Sequence, residues 1–264
     1  YSIAVESRKK ARSFCASANE QVTDRRRSRA SRTPVSAWAV AMRSPLALRY
    51  NDMGVLEHFH CSTAFEIMFD PATDILSPLS SAQFADLRSL VIQMVLATDM
   101  SQHFDYLGKF KLKIESESLD LSVTEARNLV LEMAMKCADI SNPTKDTAIC
   151  ETWAHLVMEE FFRQGEAESA RGLPISPFMD RATTKTPKVQ TGFIDFFVTP
   201  LYEALNMVPE LGLDDQLAQL RDNRMYWENL AKENESVASS TLDPKSTVRG
   251  SIVRNSVESS RSRA

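Results

Sequence analysis

The chain has 264 residues, 43% apolar and 25% charged, with a formal net charge of −4; this length and composition can bury the core of one large domain or two small ones. Its seven glycines (54, 108, 165, 172, 192, 212 and 250) show neither Rossmann nor P-loop spacing, which excludes those phosphate cradles and argues against a turn-dense β-sandwich or barrel. No apolar run reaches bilayer length, and Cys15, Cys61, Cys137 and Cys150 lack CxxC spacing, as expected of reduced thiols in a cytoplasmic protein.

Residues 1–44 carry ten Lys and Arg against three acids, residues 45–233 carry 16 against 29, and residues 234–264 carry five against three. An acidic body therefore lies between two basic flanks. The first flank, with Arg25-Arg26-Arg27-Ser28-Arg29, has no sustained hydrophobic period, and residues 1–47 are expected to be disordered or non-native. Glu6, Glu20 and Asp24 weigh against a transit peptide, and the acidic body weighs against a nucleic-acid arm. The sequence opens on Tyr1, which is expected of a processed chain or an incomplete gene product.

Within the body, Phe84, Leu87, Leu90, Val91, Met94, Val95 and Thr98 repeat at three and four, predicting a helix from Ser81 to about Phe104 capped by Ser80 or Ser81. Ser122-x-x-Glu125 has the form of a capping box, and the helix it opens carries Leu129, Val130, Met133, Ala134 and Cys137. Asn142-Pro143 pushes the preceding backbone out of α geometry, so that helix ends near Asp139. A third helix with Trp153, Leu156, Val157, Glu160 and Phe161 is expected to stop at Gly165. Residues 172–187 read as a proline-rich loop, residues 189–205 as a helix kinked around Pro200, and Leu213 to Leu230 as a final long helix. The serine-rich stretch 234–264 has no aromatic residue and reads as a disordered tail. The predicted fold class is all-α.

Several side chains could carry chemistry. Asp139 sits at the carboxyl end of an apolar helix, where the helix dipole disfavours a carboxylate unless a cation offsets it; a metal ion, Lys136 or Lys145 would serve. Asp99 and His103, four apart, would share a helix face and a hydrogen bond. His58 and His60 diverge if helical but could chelate on a strand, and His155 reads as a half-buried packing histidine. Four histidines in all do not readily build a histidine-rich metal centre. Gln190, Phe193 and Phe197 share one face, either as core or as an amide and rings suited to a purine.

An ordered series of motifs adds to this reading. It runs Tyr50-Asn51-Asp52-x-x-Val55-Leu56-Glu57, Leu96-Ala97-Thr98-Asp99-Met100, Ala138-Asp139-Ile140-Ser141-Asn142-Pro143-Thr144-Lys145, Glu159-Glu160-Phe161-Phe162-Arg163-Gln164-Gly165, Ser176-Pro177-x-x-Asp180 and Gln190-x-Gly192-Phe193-Ile194-Asp195-Phe196. Over residues 48–233 the chain resembles the carboxyl-terminal two-thirds of the class I 3′,5′-cyclic nucleotide phosphodiesterase catalytic domain. The resemblance implies hydrolysis of cAMP or cGMP to the 5′-monophosphate at two divalent metal ions, zinc plus magnesium or manganese. It also implies that Asp139 ligates a metal, that Glu57 and Thr98 hold metal-bound waters, and that Gln190 reads the base edge. Phe193 and Val157 would clamp the base, with Phe161, Phe178, Met100 and Asn142 lining the pocket. The family's HN-x-x-H and HD-x-x-H-P-G stretches, which precede the position of Tyr50, are not among these residues, and Leu56-Glu57-His58-Phe59-His60 replaces its Leu-Glu-Asn-His-His. The expectation is therefore a phosphodiesterase by descent that is inactive or nearly so as this chain, or a metal-free pseudo-enzyme that binds nucleotides or partners.

Overall fold

A computed structural model describes residues 34–116, 119–209 and 211–241. Residues 1–33 and 242–264 lie outside the described residues, and with them most of the first flank and the tail. The elements in chain order are α1 (Pro34–Ala41), α2 (Pro45–Arg49), α3 (Val55–Met68), α4 (Ser81–Leu96), a 3₁₀ turn (Met100–Gln102) and α5 (His103–Glu115). Then follow α6 (Thr124–Asp139), a second 3₁₀ turn (Asn142–Thr144), α7 (Thr147–Ser169), α8 (Thr186–Phe193), a π turn (Ile194–Val198), α9 (Thr199–Asn206) and α10 (Asp214–Thr241). No strand occurs among the described residues, and the fold is all-α. α1 lies within residues 1–47, expected to be disordered or non-native, and α2 runs across their end; the two short helices bury Ala39, Leu46 and Ala47.

Ser80 caps α4 with a complete capping box: its hydroxyl accepts from the Gln83 backbone N–H at 3.3 Å while the Gln83 side-chain Oε1 accepts from the Ser80 N–H at 3.0 Å. The helix expected to run on to Phe104 stops at Leu96 instead. Asp99 accepts from the Ser101 N–H at 2.9 Å, opening a 3₁₀ turn, and α5 starts afresh at His103. Asp99 and His103 therefore do not share the predicted helix face.

The box predicted at Ser122 and Glu125 does not form, because Val123 occupies the cap position without a side-chain bond. Arg127 ties down the segment leading into the helix, donating to the carbonyls of Leu121 (2.9 Å) and Ser122 (2.7 Å), and leaves the first helical N–H groups without a side-chain cap. α6 ends at Asp139, as the Asn142-Pro143 pair requires.

α7 continues through Gly165 to Ser169, so this glycine is not a cap. It is there for close approach: a Cβ on Gly165 would stand 2.0 Å from the Met179 carbonyl oxygen. Met179 is itself buried, and the contact pins the 172–185 loop to α7. The kink expected at Pro200 takes the form of the π turn, since Pro200 has no N–H to return to the Phe196 carbonyl.

The main core gathers Phe110, Met133, Ile194, Leu201, Leu220 and Trp227, all essentially inaccessible. Each such side chain contributes on the order of 2 kcal/mol on burial. A smaller cluster of Ala39, Leu46, Ala47 and Val55 joins α1 to α3. α4 packs between α3 and α6, yet none of its side chains is fully buried.

Gly165→Ala should force Met179 away from α7. The expected cost is at least about 2 kcal/mol, read as a lower urea midpoint; an unchanged midpoint would refute the close-approach role.

Candidate functional site

Asp139 is the last residue of α6 and is exposed, at the negative end of the helix dipole. The cation that offsets it is supplied one turn earlier. Lys136 is only 2% exposed; its Nζ donates to the Ala97 carbonyl at 2.7 Å and lies 5.5 Å from the centre of the Tyr106 ring. Its charge acts on Asp139, Asp99 and Glu57 together.

Glu57 reaches the same place from the first turn of α3, whose entry is set by Gly54 in the left-handed region (φ 47°). It is 6% exposed and its Oε2 has no hydrogen-bond partner. Burial, reinforced by Asp99 and Asp139 and opposed by its backbone N–H and Lys136, raises the Glu57 carboxyl to about 7. Burial likewise lowers Lys136 to about 8 against the pull of the three acids. The Thr98 hydroxyl donates to the Val95 carbonyl at 2.7 Å, one turn back.

On the other side, Gln190 on α8 is 5% exposed and its Oε1 also lacks a partner. Phe193, three residues on, lies 5.9 Å from Phe197 in the π turn, and Phe197 lies 5.4 Å from both His103 and Phe104. His103 is fully buried, and neither ring nitrogen has a partner of good hydrogen-bond geometry. Burial, aided by the Lys136 charge and offset in part by the Phe197 backbone, pushes its imidazole down to about 4. A continuous wall thus runs from the acids through Lys136, His103 and Phe197 to Phe193.

The remaining predicted residues are more dispersed. Met100 packs on the main core, and Asn142 opens the second 3₁₀ turn. Val157 and Phe161 stand on α7, which packs on α8, and Phe178 is 61% exposed in the loop between them at φ 67°. Among the described residues no hydrogen bond or ring contact joins Val157, Phe161 or Phe178 to Gln190 or Phe193. His58 and His60 fall on helix α3, which removes the strand alternative, and His58 stacks on Tyr50 at 5.6 Å. His155, expected to be half-buried, is exposed and pairs with Glu151 at 3.6 Å.

Four side chains that sequence reasoning passed over hold the segments around these residues. Asn223 is fully buried on α10; its amide donates to the carbonyls of Pro143 (2.8 Å) and Lys145 (2.7 Å), while its oxygen accepts from the Thr147 hydroxyl at 2.7 Å. The Tyr202 hydroxyl donates to the Cys137 carbonyl at 2.8 Å, satisfying an acceptor that the end of α6 leaves open. Buried Glu168 accepts from the Ser176 N–H (2.7 Å) and hydroxyl (2.8 Å), clasping the loop that carries Phe178. Arg181 adds bonds to Glu159 (2.7 Å) and Glu166 (2.9 Å). In the sequence, Asn223 sits in an unbroken polar run, and a polar residue in such a run reads as solvated surface.

Asp139 is the one metal ligand that the resemblance assigns to this chain. Among the described residues no three His, Cys, Asp or Glu side chains converge so as to hold an ion, and Lys136 stands amid the acids that are present. The described residues therefore do not by themselves fit the two divalent ions that phosphodiesterases of this kind use. No described helix is long and apolar enough to cross a membrane.

The described residues form an all-helical domain that carries an acidic helix end at Asp139 and, on α8 and the π turn, a buried amide near aromatic rings. A sequence model of the 3′5′-cyclic nucleotide phosphodiesterases matches residues 35–219, and the chain belongs to that family. It is 34% identical over 231 residues to the human "High affinity cGMP-specific 3′,5′-cyclic phosphodiesterase 9A", covering 84% of this chain and 38% of the relative. It is 41% identical over 176 residues to the mouse "Dual specificity calcium/calmodulin-dependent 3′,5′-cyclic nucleotide phosphodiesterase 1B", covering 66% of this chain and 32% of the relative. The chain thus spans about a third of the length of these relatives.

His103 titrates near 6.5 when unfolded and near 4 when folded. As pH falls below 6.5 the unfolded state takes the proton first, so stability falls, by up to about 3 kcal/mol at pH 4. His103→Leu should flatten that part of the profile in urea titrations at each pH. An equally steep loss in the variant would refute the assignment.

Proposed function

We propose that residues 48–233 are the carboxyl-terminal two-thirds of a cyclic nucleotide phosphodiesterase catalytic domain. Its reaction is the cytoplasmic hydrolysis of cAMP or cGMP to the 5′-monophosphate in signal transduction, and this chain supplies the part that recognises the nucleotide. The observation that carries the reading is Gln190: a buried amide whose Oε1 has no donor, one turn from an aromatic ring. A buried acceptor left unpaired costs about 1–3 kcal/mol. The N–H groups on a purine edge would remove that cost. A glutamine amide can turn either end to its partner, so both adenine and guanine suit it.

In this reading Phe193 and Val157 take the two faces of the base. Phe161 and Phe178 close the aromatic side, with Met100 and Asn142 towards the ribose. Asp139, Glu57 and Thr98 stand at the phosphate end. In the family, zinc plus magnesium or manganese activate the attacking water there. Asp139 is the single side chain proposed to reach such an ion, so no hydrolytic step is assigned to these residues alone. The buried thiols of Cys61, Cys137 and Cys150 support a reducing compartment.

The test is nucleotide binding by the 264-residue chain, followed calorimetrically with cAMP, cGMP and the two 5′-monophosphates. Base stacking and one amide predict affinity near the millimolar range, unaffected by EDTA. Gln190→Ala should weaken it roughly tenfold or more. Turnover of cAMP and cGMP with Mn²⁺ and Zn²⁺ should stay at background. Robust turnover abolished by Asp139→Ala would overturn the metal-poor reading, and binding indifferent to Gln190→Ala would overturn the base slot.

A further inference from the structure

The acidic end of the site already contains a positive charge. Lys136 lies within the last two turns of α6, a place where a lysine ordinarily extends into water. Here it is 2% exposed and turned inwards. Its ammonium is held by the Ala97 carbonyl at 2.7 Å and stands 5.5 Å from the Tyr106 ring centre. Burying an ammonium on one carbonyl and one ring face leaves most of its desolvation cost uncompensated. The compensation comes from the carboxylates of Asp139, Asp99 and Glu57, brought in from α6, the α4–α5 connection and α3.

Glu57 shows the same dependence from the other side. It is 94% inaccessible, and its Oε2 finds no hydrogen-bond donor. Among the described residues Lys136 is the positive charge that acts on it. A buried carboxylate in that position is a strong demand for a cation nearby.

A divalent ion would have to meet that demand with oxygens converging at about 2.0–2.6 Å, against the repulsion of an ammonium already inside the pocket. We propose that Lys136 is the resident cation of this pocket: its ammonium balances Glu57, Asp99 and Asp139 in place of a divalent metal ion. The pocket is thereby closed to metal by a side chain of the chain itself. This assignment stands apart from the base slot and holds whether or not nucleotide binds at Gln190.

The experiment uses the 264-residue chain, its Lys136→Met variant and the double variant Lys136→Met/Glu57→Gln. Thermal unfolding is followed with EDTA and with millimolar Mn²⁺, and bound Mn²⁺ is counted by electron paramagnetic resonance. The wild-type midpoint should be the same in both solutions, with substoichiometric bound Mn²⁺. Lys136→Met, which keeps the stem but removes the charge, should lower the midpoint by roughly 10 °C. Adding Glu57→Gln should restore a clear part of that loss, because the stranded carboxylate is gone.

Stoichiometric Mn²⁺ on the wild type, or a midpoint lowered by EDTA, would overturn the proposal. So would a double variant no more stable than Lys136→Met. Should Lys136→Met fail to fold while the double variant folds, the proposal stands; should the double variant fail with it, the proposal is overturned. Loss of nucleotide binding in Gln190→Ala bears on the base slot alone, so the two readings fail separately.

Discussion

The arrangement of the site depends on one buried amide. Asn223, deep on α10, holds the carbonyls of Pro143 and Lys145 and the hydroxyl of Thr147 in a single network. Those groups belong to the segment that leaves α6 at Asp139 and enters α7. A chain that turns through Asn142-Pro143 cannot satisfy its carbonyls by helix bonds, and water does not reach Asn223. The amide therefore fixes where the acidic helix end points and where α7, with Val157 and Phe161, begins. Tyr202 finishes the same task by binding the Cys137 carbonyl.

This construction separates two kinds of chemistry along one wall. At one end, carboxylates from three segments gather around an internal ammonium. At the other, a buried glutamine and stacked rings offer shape and an unpaired acceptor. His103 and Phe197 lie between and keep water out. The chain's membership of the cyclic nucleotide phosphodiesterase family is the setting for the proposal that the one end meets a base and the other a phosphate.

Much of this could be read from the sequence, and what could not has physical reasons. Helical periods located α4, α6 and α10, and Asn142-Pro143 located the end of α6, because backbone sterics are local. The break after Leu96 escaped notice because the apolar repeat continues through Thr98 into His103, while the interruption comes from an aspartate bonding its own backbone. Gly165 looked like a stop; only the approach of Met179, fourteen residues later, shows why it must lack a side chain. Lys136 was one of two lysines able to offset Asp139, and nothing in a helical repeat says which of them turns inwards. Glu57, Thr98 and Asp139 were identified by motif order, whereas Asn223 belongs to no motif and is visible only through its partners.

The uneven depth of the helices has a consequence for motion. The main cluster, from Leu107 to Trp227, is anchored by side chains with no exposure, whereas α4 buries none of its own completely. Segments with few deeply held groups open to exchange at lower free energy than the body they lean on. Ala97 follows directly on that looser helix, while Lys136 rides on α6, which lends Leu129, Met133 and Cys137 to the firm cluster. Breathing of α4 would thus loosen the Ala97 carbonyl that anchors Lys136 while leaving the main cluster around Ile194 and Trp227 in place, so the ammonium would be the first buried charge of the molecule to meet water.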